Sequence, residues 1–195
     1  NWNRLLKRAI ATVAESMGQG CRVRRDGELT SVPIGSLTET IPFRDNPSPA
    51  VAISWGDVST AFYSTGIPNI EVFMGAPEKQ ARQMRKMGRL SPLLALRPLQ
   101  KLIQSGIEKR VEGPSDEERA NDEAHVYGEV KNASGDKVVM TLRTPNGYSL
   151  TIDASLESVR RLLAGSVPPG AQTPSLAFGP DFVLDLQGVD CQREA

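Results

Sequence analysis

The residues best suited to chemistry lie in two short polar loops. In Trp55-Gly56-Asp57-Val58-Ser59-Thr60, a glycine that lets a ligand approach the backbone stands beside a carboxylate acceptor and two hydroxyl donors. Asp57 suits a substrate amine or hydroxyl; Ser59 and Thr60 suit an acceptor oxygen. The same residue types also cap helices, because Asp57 or Ser59 can satisfy free amides at a helix start. The second loop, Gly170-Ala171-Gln172-Thr173-Pro174-Ser175, offers Thr173 as a donor to a substrate carboxylate. Thr173-Pro174 equally reads as the cap and first residue of a short helix that Gly179 ends. Each loop is punctuated by Gly or Pro and sits beside an apolar segment, so Asp57 and Thr173 are expected to share one ligand-facing surface.

Other chemistry is sparse. His125 is the single histidine; at the head of a strand it suits an acid or base near neutrality, or a structural role. Cys21 and Cys191 stand near opposite ends of the chain without CxxC spacing or ligand-spaced companions, which points to incidental thiols in a reducing compartment rather than a redox or metal device. Glycines are frequent, yet no Gly-x-Gly-x-x-Gly and no P-loop run follows a strand. Neither a metal nor a dinucleotide is expected to be held by this chain.

Charge narrows the classes further. The 23 basic and 23 acidic residues cancel, so no net field draws the chain to nucleic acid. A basic stretch from Lys79 through Arg82, Arg85, Lys86 and Arg89 to Arg110 gives way to an acidic one from Glu112 to Glu123. Without interleaved aromatics it is no nucleic-acid surface; it reads as solvated helix faces or as an electrostatic match within or between subunits. No apolar run approaches the roughly 18 residues of a spanning helix.

The positioning elements follow from periodicity and punctuation. Leu5, Leu6, Ile10, Val13, Ala14 and Met17 recur at helical spacing up to Gly18. Residues 21–33 read as a hairpin around Asp26-Gly27, whose arginines mark it as a surface ribbon. A turn-rich loop is expected from Pro42 to Pro49, then short strands at 51–54 and 70–74. Pro77 opens a helix to about Met87, and Ser91-Pro92 a second with a kink at Pro98. Alternation predicts a hairpin from strands near 126–130 and 137–144. Tyr148, Ile152, Leu156, Val159 and Leu163 step by about one helical turn, so Asn146 is expected to cap a helix from Gly147 to Ala164. The sum is an α+β fold, a mixed, mostly antiparallel twisted sheet with packed helices, in a single domain over 1–195.

Six ordered segments resemble one known family: Arg24-Arg25-Asp26-Gly27; Ile53 to Ala61; Ser64-Thr65-Gly66-Ile67-Pro68-Asn69-Ile70-Glu71-Val72; Glu112-Gly113-Pro114 with Arg119; Thr144 to Tyr148; and Gly170 to Pro174 with Ala177-Phe178-Gly179. In this order they are similar to the saccharopine-dehydrogenase-like family beyond its amino-terminal domain. The resemblance implies a parent protein whose amino-terminal Rossmann domain binds NAD(P), and a second domain whose open sheet supplies substrate contacts and often a subunit interface. On that basis the chain is expected to be a carboxy-terminal, substrate-side fragment beginning at Asn1, cytoplasmic and self-associating. It would bind no cofactor and show no activity without the missing domain. Trp55, Gly56, Asp57, Ser59, Thr60, Thr173 and Pro174 would then face the interdomain cleft. The alternative is a protein-interaction domain that keeps the fold without the catalysis.

Overall fold

The computed structural model describes residues 20–43, 46–89, 122–165 and 167–194. The helices expected at 5–17 and 91–103, the Pro98 kink and the Gly113-Pro114 segment lie outside the described residues. The chain divides into two compact units, one of residues 1–41 and 48–113, the other of 42–47 and 114–195.

The first unit opens with a hairpin of β1 (Cys21–Arg25) and β2 (Glu28–Val32), paired antiparallel so that Arg25 faces Glu28. Asp26 and Gly27 turn with φ of 49° and 83°, the left-handed pair that matches strand twist in a two-residue loop. The turn is tied down: Asp26 N–H donates to Asn69 Oδ1 at 3.0 Å, and Gly27 N–H to Pro68 O at 2.9 Å. β2 is exposed along most of its length, as a surface ribbon would be, but β1 packs inward. Cys21 and Val23 pack with Ala52 against Val32, Leu37 and Phe73, and Arg24 is only 4% exposed. Arginine composition misleads here because the guanidinium finds backbone carbonyls and a ring inside the unit.

Next come β3 (Thr38–Phe43), β4 (Asn46–Ala52) and β5 (Phe73–Gly75), ordered β3-β4-β5. The stretch expected to be a turn-rich loop is therefore largely strand. Its prolines are tolerated because successive strand residues bond to alternate neighbours. Ala52 N–H donates to Leu37 O on the β3 side and Ile53 N–H to Val72 O on the β5 side. Pro47 and Pro49 share the parity of Ile53, so their missing donors face the side where β5 has already ended at Gly75. Ile70 bonds in both directions with Arg24 of β1, so the expected 70–74 strand is shared between two sheets. Helix α1 (Asp57–Thr65) follows β4 and stops at Gly66, φ 70°. Helix α2 (Glu78–Arg89) begins after Pro77, whose carbonyl accepts from Gln80 and Ala81 N–H.

The second unit holds β6 (Glu123–Lys131), β7 (Lys137–Pro145) and β8 (Asp190–Glu194), ordered β6-β7-β8 and antiparallel throughout. Asn132 closes the β6–β7 loop, its Oδ1 accepting from Ser134 and Asp136 N–H. Helix α3 (Gly147–Leu163) starts where Asn146 Oδ1 accepts from Tyr148 N–H at 3.0 Å, as the sequence led one to expect. Helix α4 (Pro174–Phe178) and a 3-10 turn (Pro180–Asp185) lead to β8. The chain is thus α+β, with antiparallel sheets and packed helices, the described strands falling in three sheets. No residue of α3 is buried. Helical spacing identified a coherent apolar face, and Ile152, Leu156, Val159 and Leu163 on it are exposed. No described helix is long and apolar enough to cross a membrane.

Candidate functional site

The Trp55–Thr60 segment sits where β4 ends and α1 begins. Ser54 Oγ accepts from Arg22 N–H at 2.8 Å, which fixes the exit from the strand. Trp55 O accepts from Val58 N–H, and Gly56 O from Ser59 and Thr60 N–H, so the first turn winds directly from the loop. Val58 is buried and anchors the turn, while Trp55, at 59% exposure, and Asp57 stand in solvent. Gly56 is the N-cap and Asp57 the first helical residue, with no side-chain capping bond. Asp57 is therefore not the cap that its type suggested; its carboxylate lies at the positive end of the helix. Thr60 Oγ1 donates back to Gly56 O at 3.2 Å, a local helix bond that occupies its proton.

Arg24 is the residue that composition concealed. Its Nε donates to Val58 O at 3.0 Å, and its terminal nitrogens donate to Gly27 O at 2.6 Å and Ser59 O at 3.3 Å. The guanidinium also lies 4.4 Å from the centre of the Phe62 ring. It thus joins the hairpin turn to the first turn of α1 and holds the Trp55–Asp57 loop in place. Arg25, beside it, is ion-paired with Glu71. The Arg-Arg-Asp-Gly run was the available signal: an arginine next to a tight turn can satisfy the carbonyls that the turn leaves unpaired.

Thr173 is a cap. Its Oγ1 accepts from Leu176 N–H at 3.4 Å and lies 3.0 Å from Ser175 Oγ, with Pro174 in the first turn of α4. Thr173 and Pro174 belong to the second unit, whereas Trp55, Gly56, Asp57, Ser59 and Thr60 belong to the first. His125 is exposed on β6, in register with Arg143 of β7. Cys21 is buried and Cys191 half-buried, both as free thiols. Burial pushes the Cys21 thiol above its ordinary range, so it is a packing residue rather than a nucleophile.

Two hollows lined by described residues are candidate sites. One, of about 590 Å³, lies between β3, β4 and α2 and is lined by Thr38, Glu39, Thr40, Glu78, Arg82 and Arg85 among others. Its cations are already engaged: Arg82 pairs with Glu78 at 2.8 Å, and Arg85 donates to Gly35 O at 3.2 Å and Thr38 Oγ1 at 3.4 Å. With two carboxylates on the same walls it has no net attraction for an anion. The other, of about 250 Å³, is floored by Asp153, Leu156, Glu157 and Arg160 of α3. There Arg160 and then Arg161 hold the Glu157 carboxyl down to about 2, and Arg161 continues to Asp185 at 2.8 Å. Among the described residues no group of three His, Cys, Asp or Glu side chains is arranged to hold a metal.

Comparison with protein-family models, with curated proteins and with solved structures finds no match to this chain.

Proposed function

We propose that this chain is the substrate-binding and self-associating domain of a saccharopine-dehydrogenase-like, NAD(P)-dependent oxidoreductase acting in the cytoplasm. In this reading an amino-terminal Rossmann domain presents the nicotinamide, and the present domain fixes the substrate carbon within hydride-transfer reach. The observation that carries it is the uncapped Asp57 beside exposed Trp55, on a loop held at the strand end by buried Arg24. A carboxylate and an aromatic surface on a rigid mount suit an amine- or hydroxyl-bearing substrate. Free cysteines are in keeping with a reducing compartment. The ordered motifs from Arg24 to Gly179 supply the family, and the family supplies the cofactor.

The test is titration of the protein carrying its dinucleotide domain with NADPH and NADH, followed by hydride-transfer assays on 2-oxo acids with amines and on enoyl substrates. Dinucleotide binding with turnover is expected; a protein that binds neither nucleotide is not this oxidoreductase. A second reading, a non-catalytic interaction domain, is favoured by the exposed apolar face of α3, where Leu156 is 66% accessible. That reading expects nucleotide-independent behaviour throughout.

A further inference from the structure

We propose that the exposed apolar stripe of α3 is the seam of a symmetric dimer, in which the α3 helices of two copies of this chain lie antiparallel and each stripe covers the other. The inference stands on α3 and its own unit, and it holds whether or not the oxidoreductase reading does.

One side of α3 is already seated on its own unit. Arg161 donates to Asp185 Oδ2 at 2.8 Å and lies 4.9 Å from the centre of the Phe182 ring, and Leu150, Ala154 and Arg161 on that side are half-buried. At about 100° per residue, Ile152, Ser155, Leu156, Val159, Leu162 and Leu163 fall within about 120° of one another on the opposite side. The five apolar ones are between 53% and 83% exposed. Their open surface is on the order of 600 Å² per copy, the upper end for the largest apolar patch of a soluble monomer. Two such faces together reach about 1,200 Å², the lower bound of a specific protein interface.

The spacing selects the occupant and its direction. No residue of the stripe is charged, so a charged partner segment would find no counter-ion on it, whereas a second stripe of the same kind brings no like charges together. Ile152, Leu156, Val159 and Leu163 follow at steps of four, three and four residues, the spacing of a coiled-coil seam. These steps read the same in both directions. A reversed copy therefore sets Ile152 level with the partner's Leu163 and Leu156 level with the partner's Val159. Every level then joins one β-branched side chain to one leucine, which keeps the layers even in volume. A parallel copy would stack Leu on Leu and Val on Val, and would align the two helix dipoles instead of opposing them.

The 195-residue chain should show a concentration-dependent monomer–dimer equilibrium in sedimentation velocity, with a dissociation constant on the order of 10 μM. Leu156→Glu puts two carboxylates into the seam and should raise that constant about a hundredfold. Its circular dichroism should match the parent's, since position 156 is exposed in the monomer. Leu29→Glu, at an exposed apolar position of the first unit, should leave the dimer as it was. Direction is read by cross-linking: Ile152→Cys mixed with Leu163→Cys should give a 152–163 disulfide on oxidation with diamide, told apart from Cys21 and Cys191 by peptide mass. Neither variant alone should cross-link through its new thiol, because like positions lie about 16 Å apart along antiparallel helices, beyond disulfide reach. Should Leu156→Glu change the circular dichroism, the cross-linking pattern decides. A chain that stays monomeric at about 200 μM, a folded Leu156→Glu chain that still dimerises, equal loss in Leu29→Glu, or a disulfide between like positions in place of 152–163 would each overturn the proposal. No readout involves a dinucleotide, so the result is independent of the activity assays.

Discussion

The guanidinium of Arg24 lies 4.4 Å from the centre of the Phe62 ring while its Nε donates to Val58 O at 3.0 Å. One side chain of the β1–β2 hairpin thereby holds both the first turn and the middle of α1. Its three carbonyl contacts need a planar, multi-donor head, which lysine lacks. Arg24→Lys should therefore destabilise the chain by about 2 kcal/mol. Urea unfolding checks this, and an unchanged midpoint would mean the fork geometry contributes nothing.

Gly35 and Gly66 provide a matched pair. Both are left-handed, at φ 72° and 70°, so alanine at either pays the same backbone penalty of about 1 kcal/mol. Only at Gly35 would a Cβ meet backbone, 2.6 Å from Arg85 N, whereas nothing lies within 4 Å at Gly66. Gly35→Ala should cost about 1–3 kcal/mol more than Gly66→Ala. Thermal unfolding of the two variants compares them directly, and equal losses would show that α2 yields freely.

Asp57 and Thr173 should separate by readout. Thr173→Val removes a cap acceptor and should lower stability by about 1 kcal/mol. Asp57→Asn removes no capping bond, so its stability should stay within about 0.5 kcal/mol of the parent. If Asp57 accepts from substrate, the asparagine variant of the protein with its dinucleotide domain should lose about tenfold in turnover with nucleotide affinity unchanged. Preserved turnover would remove Asp57 from the site.

Glu157 sets an acid response. Its carboxyl is held at about 2 against an ordinary 4.5 by hydrogen bonds from Arg160 and Arg161. A lowered folded-state pKa favours the ionised form, so this contribution is present above pH 4.5 and is lost as pH falls through about 2. Glu157→Gln should thus be less stable than the parent at neutral pH, with the gap closing as the solution is acidified across that window. Thermal melts along a pH series measure the gap; one that stays constant would show that the pair contributes nothing through ionisation.

Local structure was legible wherever a short-range rule decides it. Asp26-Gly27 specified a left-handed turn, Asn146 a helix start, and Thr173-Pro174 a cap with its proline, because each depends only on neighbours in sequence. Alternation likewise placed the β6–β7 hairpin. Long-range pairing was not legible. Pro47 and Pro49 disguised β4, since whether a proline is tolerated depends on which neighbour strand its missing N–H faces. Arg24 looked like a surface charge because only the folded unit brings Phe62 and the carbonyls of Val58 and Ser59 around it.

What the sequence determined by itself was the class of fold, most element types and the loops rich in polar groups. Periodicity fixes which residues share a face, as it did for Ile152, Leu156 and Val159 of α3. Tertiary structure decided what covers each face, leaving those three exposed while drawing an arginine inside. Burial is a property of pairs of elements distant in the chain, and the free energy of hiding a side chain depends on partners that no local pattern encodes.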